Sequence, residues 1–210
     1  MTTTPDVPAS TVLVAVDAGT RDHAGAEHVV HLLDGLLPAG DATYVASTHV
    51  VATDDGPHTA VAATWSGAAA GGPHAAGELV GLLAAAVGER AGVLVVAAGD
   101  EAVAGPAAAL AGARAAAGQH VDRAAGRLVR FAGRAEVERP CTVADVVALD
   151  AVDAVEALAG TDVRPETPLD LGEWARPTWR AGRSVLLVQP GRGGLVPFES
   201  RHQIACCADH

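Results

Sequence analysis

Two short runs constrain this chain more than any other feature: residues 12–16 and 93–97 are unbroken apolar stretches of strand length. A strand with one wet face alternates apolar and polar residues, so unbroken runs predict strands buried on both faces beneath helices. The residues available to fill those contacts are small. Half of the chain is apolar but aromatics make up only 3%, so the core is built from Ala, Val and Leu, and helix and sheet can approach closely. Residues 23–37 supply one covering helix, with Ala26, Val29, Val30, Leu32, Leu33, Leu36 and Leu37 on its stripe and Pro38 and Gly40 ending it. Residues 73–90 supply a second. The fold class expected is α/β, a mixed sheet with flanking helices.

The remaining segments are read by the same rules. Residues 43–52 and 59–64 flank Asp54-Asp55-Gly56-Pro57 and predict two strands joined by a turn. Residues 102–125 predict an Ala-rich helix interrupted at Gly105-Pro106 and Gly112, and residues 127–132 and 135–139 predict strands on either side of Gly133. Composition shifts after Pro140 to short acidic segments, with a hairpin at 179–188 turning on Arg180-Ala181-Gly182-Arg183. This gives a flexible leader at 1–10, an α/β domain at 11–140 and a small strand-rich C-terminal appendage at 141–210.

Charge excludes one class of partner. The chain has no Lys, and its 14 basic residues face 25 acidic ones for a net charge of −11, which argues against a nucleic-acid backbone as ligand. No apolar run reaches membrane-spanning length without Gly or charge. The polar start at residues 1–6 lacks the apolar core of a secretion signal, and three cysteines, two of them adjacent, make no disulfide framework. A cytoplasmic protein with no membrane partner is the expectation.

Residues 56–67 read GPHTAVAATWSG: Gly-Pro, a short β-rich run, a bulky residue, Ser-Gly and then a helix. This resembles the strand-to-helix elbow of ketosynthases in the thiolase superfamily, where a Cys at the position of Trp65 attacks the acyl thioester. Residues 12–20, 22–37 and 74–101, the last ending Ala97-Ala98-Gly99-Asp100-Glu101, resemble other parts of that family's N-terminal half in order and spacing. The resemblance covers residues 10–105. It implies one half of a thiolase-type fold, with Trp65, Ser66 and Gly67 as the former nucleophile elbow, now a binding or structural element. A tryptophan cannot be acylated as a thiolate can, and no His-Gly-Thr-Gly-Thr-like or Asn-Ser-Phe-Gly-like segment is present, so no catalytic residue is carried over. The resemblance further implies fatty-acid or polyketide metabolism, an acyl or other apolar small ligand, and no cofactor. A lone half leaves one face for a second copy or a ketosynthase-like chain, so a homodimer or heterodimer is expected.

Other residues offer competing readings. The tail places His202, Cys206, Cys207 and His210 within nine residues, four soft ligands for zinc or copper in a metal-dependent enzyme or metal-binding protein. Adjacent cysteines fit tetrahedral geometry poorly, and the plainer reading is a terminus whose thiols are incidental. Histidines 23, 28, 31, 49, 58 and 74 crowd the first third; His28 and His31, three apart on a helix, could share a ligand, although solvated positions account for such a group as well. Asp17 at the end of a strand is either a functional group or a turn residue bonding its own backbone. A strand at residues 12–17 followed by a helix also resembles a universal stress protein, a small-ligand or nucleotide-binding α/β protein, but the glycine-rich phosphate loop of that family is not seen.

Overall fold

The computed structural model describes residues 5, 7–37, 43–53, 56–66 and 76–199. The chain divides into two compact units: residues 1–132 with 179–182, and residues 133–178 with 183–210. It is a mixed α/β protein with mostly antiparallel strand pairing and five α-helices among the described residues.

In the first unit the strands β1 (Thr11–Thr20), β2 (Thr43–Thr53), β3 (Gly56–Ser66), β4 (Gly92–Ala97), β5 (Asp100–Ala104) and β6 (Ala125–Arg130) lie in the order β5-β4-β1-β3-β2-β6. The pairings β1–β3, β1–β4, β2–β3, β2–β6 and β4–β5 are all antiparallel. The expected mixing of directions is therefore missing from this part of the sheet, and two tight hairpins explain why. β4 turns into β5 over Ala98 and Gly99, both at positive φ (52° and 88°), the geometry that matches strand twist in a two-residue hairpin. β2 and β3, consecutive in the chain, pair out to Thr53 and Gly56.

Alternation along each strand splits the core into two layers. Val12, Val14 and Val16 of β1, with Val61, Ala63 and Trp65 of β3, meet helices α1 (His23–Leu36) and α2 (Ala76–Val87). Leu13, Ala15, Ala60, Ala62, Leu94 and Val96 face the other way, toward Ala113, Ala116 and Ala117 of α3 (Ala107–Val121). Asp22 caps α1 by accepting from Gly25 N at 2.7 Å. α3 runs very close to the sheet because the contact is made by Gly and Ala: a Cβ on Gly92 of β4 would strike the Ala109 backbone, and one on Gly112 of α3 would strike the Asp17 carboxylate. The expected helix over 102–125 is thus shorter than its composition suggests; its first residues form the edge strand β5, and Gly105-Pro106 separates the two.

The second unit contains helices α4 (Arg134–Val137) and α5 (Val143–Val147), and strands β7 (Cys141–Thr142), β8 (Ala154–Ala157), β9 (Pro168–Leu169), β10 (Thr178–Arg180, joining the first unit from Trp179), β11 (Arg183–Pro190) and β12 (Leu195–Pro197). Here β11 pairs parallel with β8, and β12 parallel with β9. The strand expected at 135–139 is instead the short helix α4. A capping box between Thr142 and Asp145 starts α5.

Candidate functional site

Of the polar groups buried in the first unit, Ser47, His49 and His120 gather on the α3 side of the sheet, toward the C-terminal end of that helix. Ser47 and His49 lie two apart on β2 and so share a face. His120 lies seven residues after Ala113 along α3 and shares its buried stripe. Ser47 Oγ sits 2.7 Å from His49 Nε2 and 2.6 Å from His120 Nδ1, while Thr64 Oγ1 is 3.0 Å from His120 Nε2. The four groups form one hydrogen-bonded chain. Trp179 packs against both rings, with centroids 6.4 Å from His49 and 5.1 Å from His120.

His49 is 1% exposed and His120 3%. Burial pulls the His49 pKa down to about 4. It pulls His120 down to about 3, with the charges of His49 and Arg123 acting in the same direction. Both rings are neutral at pH 7. The order Thr64, His120, Ser47 has the outline of nucleophile, base and orienting group, but a base must carry the proton it takes. With His120 held near 3, protonating it is about 5 kcal/mol harder than protonating an ordinary imidazole, and neither ring bonds a carboxylate among the described residues. At neutral pH the four groups form an uncharged hydrogen-bonded chain.

A cleft of about 250 Å³ opens beside it, lined by Val7, Pro8, Thr11, Val45, Val121 and Trp179, and by Thr64, Trp65, Ser66, His120 and Arg123. Every lining residue belongs to the first unit. Arg123 is the one charged residue among them. It follows the α3 C-cap Asp122 at φ 49°, the left-handed position that helices usually give to Gly and that costs other residues about 1–2 kcal/mol. The backbone holds it there: Arg123 N donates to His120 O at 3.2 Å and Gly182 N donates to Arg123 O at 3.0 Å. Its guanidinium makes no hydrogen bond or ion pair with a described residue.

Trp65 stands inside β3, between Val12 of β1 and Tyr44 of β2. It is 4% exposed and packs with the α1 and α2 residues; its indole N–H has no acceptor among the described residues. Ser66 ends the strand, half-buried, at the cleft. The next described residue is Ala76, where α2 begins. Gly67 lies outside the described residues, as do His74 and the tail residues His202, Cys206, Cys207 and His210.

Asp17 has the turn role expected of it and a second bond beside it. Its Oδ1 accepts from Gly19 N at 2.9 Å, and its Oδ2 lies 2.8 Å from His58 Nε2. Partial burial lowers the His58 pKa, but the Asp17 hydrogen bond, the Gly56 carbonyl and the Asp17 charge outweigh it, so the net shift is upward. With both nitrogens engaged (Nδ1 is 3.2 Å from Gly56 O), this imidazole ties the β2–β3 hairpin to β1. His28 and His31 are exposed, and His31 is engaged by Arg130 and Asp34. No cluster of three or more His, Cys, Asp or Glu able to hold a metal ion occurs among the described residues.

Comparison with known proteins finds no match: no family model, no curated protein and no solved structure aligns with this chain.

Sequence reasoning passed over His120, Ser47 and Arg123. The first had a readable signal, since Ala113, Ala116, Ala117 and His120 follow the spacing of a buried helical face. Arg123 had none, because its importance lies in a backbone angle.

Proposed function

We propose that this chain is a binding protein, without condensing activity, that holds a small ligand with an apolar body in the cleft beside Thr64, Trp65 and Ser66. The observation that carries the reading is where the cleft opens: at the end of β3, the segment whose sequence resembles the ketosynthase elbow. Apolar walls with a few converging polar groups are the usual make-up of a small-molecule site. The absence of a thiol at position 65 and the neutral His120 both weigh against condensing chemistry there.

The resemblance makes an acyl group of fatty-acid or polyketide metabolism the ligand class to test first. In the same reading the α/β unit is one half of a thiolase-type fold, and its partner is a second copy or a ketosynthase-like chain. The test is titration of S-hexanoyl-N-acetylcysteamine, a neutral acyl thioester, followed through Trp179 fluorescence. Saturable binding that is lost in Val45→Phe, which fills the cleft, is expected. Equal binding by wild type and Val45→Phe would move the ligand elsewhere, and acyl transfer to a malonyl thioester would overturn the non-condensing assignment. Light scattering that shows only monomer at micromolar concentration would remove the dimer.

A further inference from the structure

We infer that the cleft selects a small aliphatic monocarboxylate, with Arg123 as the group that takes the acid end. The inference rests on the cleft being a ligand site and goes further by fixing the ligand's charge. Its basis is an electrostatic mismatch. Acidic residues outnumber arginines 25 to 14, and Arg114, Arg127, Arg130 and Arg134 each lie on a carboxylate. Arg123 stands at the cleft with no acid among the described lining residues and no side-chain partner among the described ones.

Its placement is a second, independent observation. A left-handed residue after a helix is ordinarily Gly, and here an Arg is held in that conformation by hydrogen bonds from both sides. The strain is local and serves no packing need, because the side chain is exposed. What it achieves is to keep Arg123 among the residues that line the cleft, together with Thr64 and Ser66. His120 is neutral and cannot share the charge.

Size and polarity narrow the ligand. A cleft of about 250 Å³ lies just below the usual range of small-molecule pockets, about 300–1,000 Å³, so the ligand body is short, and hexanoate serves as the probe. One cation with two hydroxyls suits a carboxylate, which an Arg fork can grip with two parallel bonds. A phosphate group carries more charge than this single cation balances. The walls made by Val45, Val121 and Trp179 suit an aliphatic body.

The experiment compares hexanoate, hexanamide and the neutral hexanoyl thioester by calorimetry on the full chain. Hexanoate is expected to bind about tenfold more tightly than hexanamide, as a charge-assisted pair does over a neutral one. Arg123→Gln is expected to bring the two to parity. Arg123→Gly, which suits the backbone angle and so folds, is expected to do the same. If hexanamide or the thioester binds as tightly as hexanoate, or if the preference survives in both variants, the carboxylate assignment is overturned and the cleft remains a neutral acyl site. Binding of none of the three overturns both readings.

Discussion

The two buried histidines make the fold sensitive to mild acid by a calculable amount. In the unfolded chain each titrates near 6.5, whereas burial holds them at about 4 and about 3 in the native state. Below pH 6.5 the unfolded state therefore binds protons that the native state does not. Stability falls as pH drops, with a slope of about 1.4 kcal/mol per pH unit for each ring. Between pH 7 and pH 5 the pair removes about 4 kcal/mol, a large part of a domain's stability. The figure is insensitive to the native values provided that both lie below 5. His58 runs the other way: its raised pKa adds stability that is complete below 6.5 and is lost above it, so it contributes no slope in the acid window. The assay is urea unfolding by tryptophan fluorescence at pH 7, 6 and 5, with the m-value checked for constancy. His120→Gln lowers stability at every pH but should remove about half of the pH dependence. If wild type loses less than about 1 kcal/mol from pH 7 to 5, or if His120→Gln keeps the full slope, the neutral buried pair is wrong.

Trp65→Ala is expected to cost about 3–5 kcal/mol, because the indole is 4% exposed in the α1–α2 layer; Trp65→Phe should cost distinctly less, since the indole N–H has no acceptor among the described residues, and urea midpoints of the two variants decide. Gly112→Ala should destabilise by about 1–3 kcal/mol through collision with Asp17, and by weakening the Asp17–His58 bond it should also lower the His58 pKa measured by NMR. Arg123→Gly should raise stability by about 1 kcal/mol, because glycine occupies φ 49° without strain; a loss of stability would refute the backbone argument. Metal analysis of purified protein is expected to find no stoichiometric zinc or copper, and metal that disappears in the Cys206→Ser/Cys207→Ser double variant would restore the tail as a metal site.

What could be read from the sequence was whatever repeats with a period. The apolar runs of β1 and β4 and the stripe of α1 located these elements closely, because each is long enough for its pattern to exclude the alternative. β5 was hidden: Asp-Glu-Ala-Val-Ala carries few strand formers, and an edge strand needs no buried face. Residues 135–139 are too few for period 2 and period 3.6 to separate, and the first three belong to α4. At the cleft, Ser66 and Trp65 were within reach because the elbow segment drew attention to them. Arg123 depends on how α3 ends, and residue type alone gives no hint of a left-handed arginine.

The glycine contacts of α3 have a mechanical consequence. Gly92 and Gly112 clamp the first half of the helix onto β4 and β1, whereas the cleft lies under its last turn. That end is fixed as well, by the hydrogen bonds of His120 to Ser47 and Thr64 and of Gly182 N to Arg123 O. A beam held at both ends resists bending along its whole length, so the helix side of the cleft has its shape set before a guest arrives.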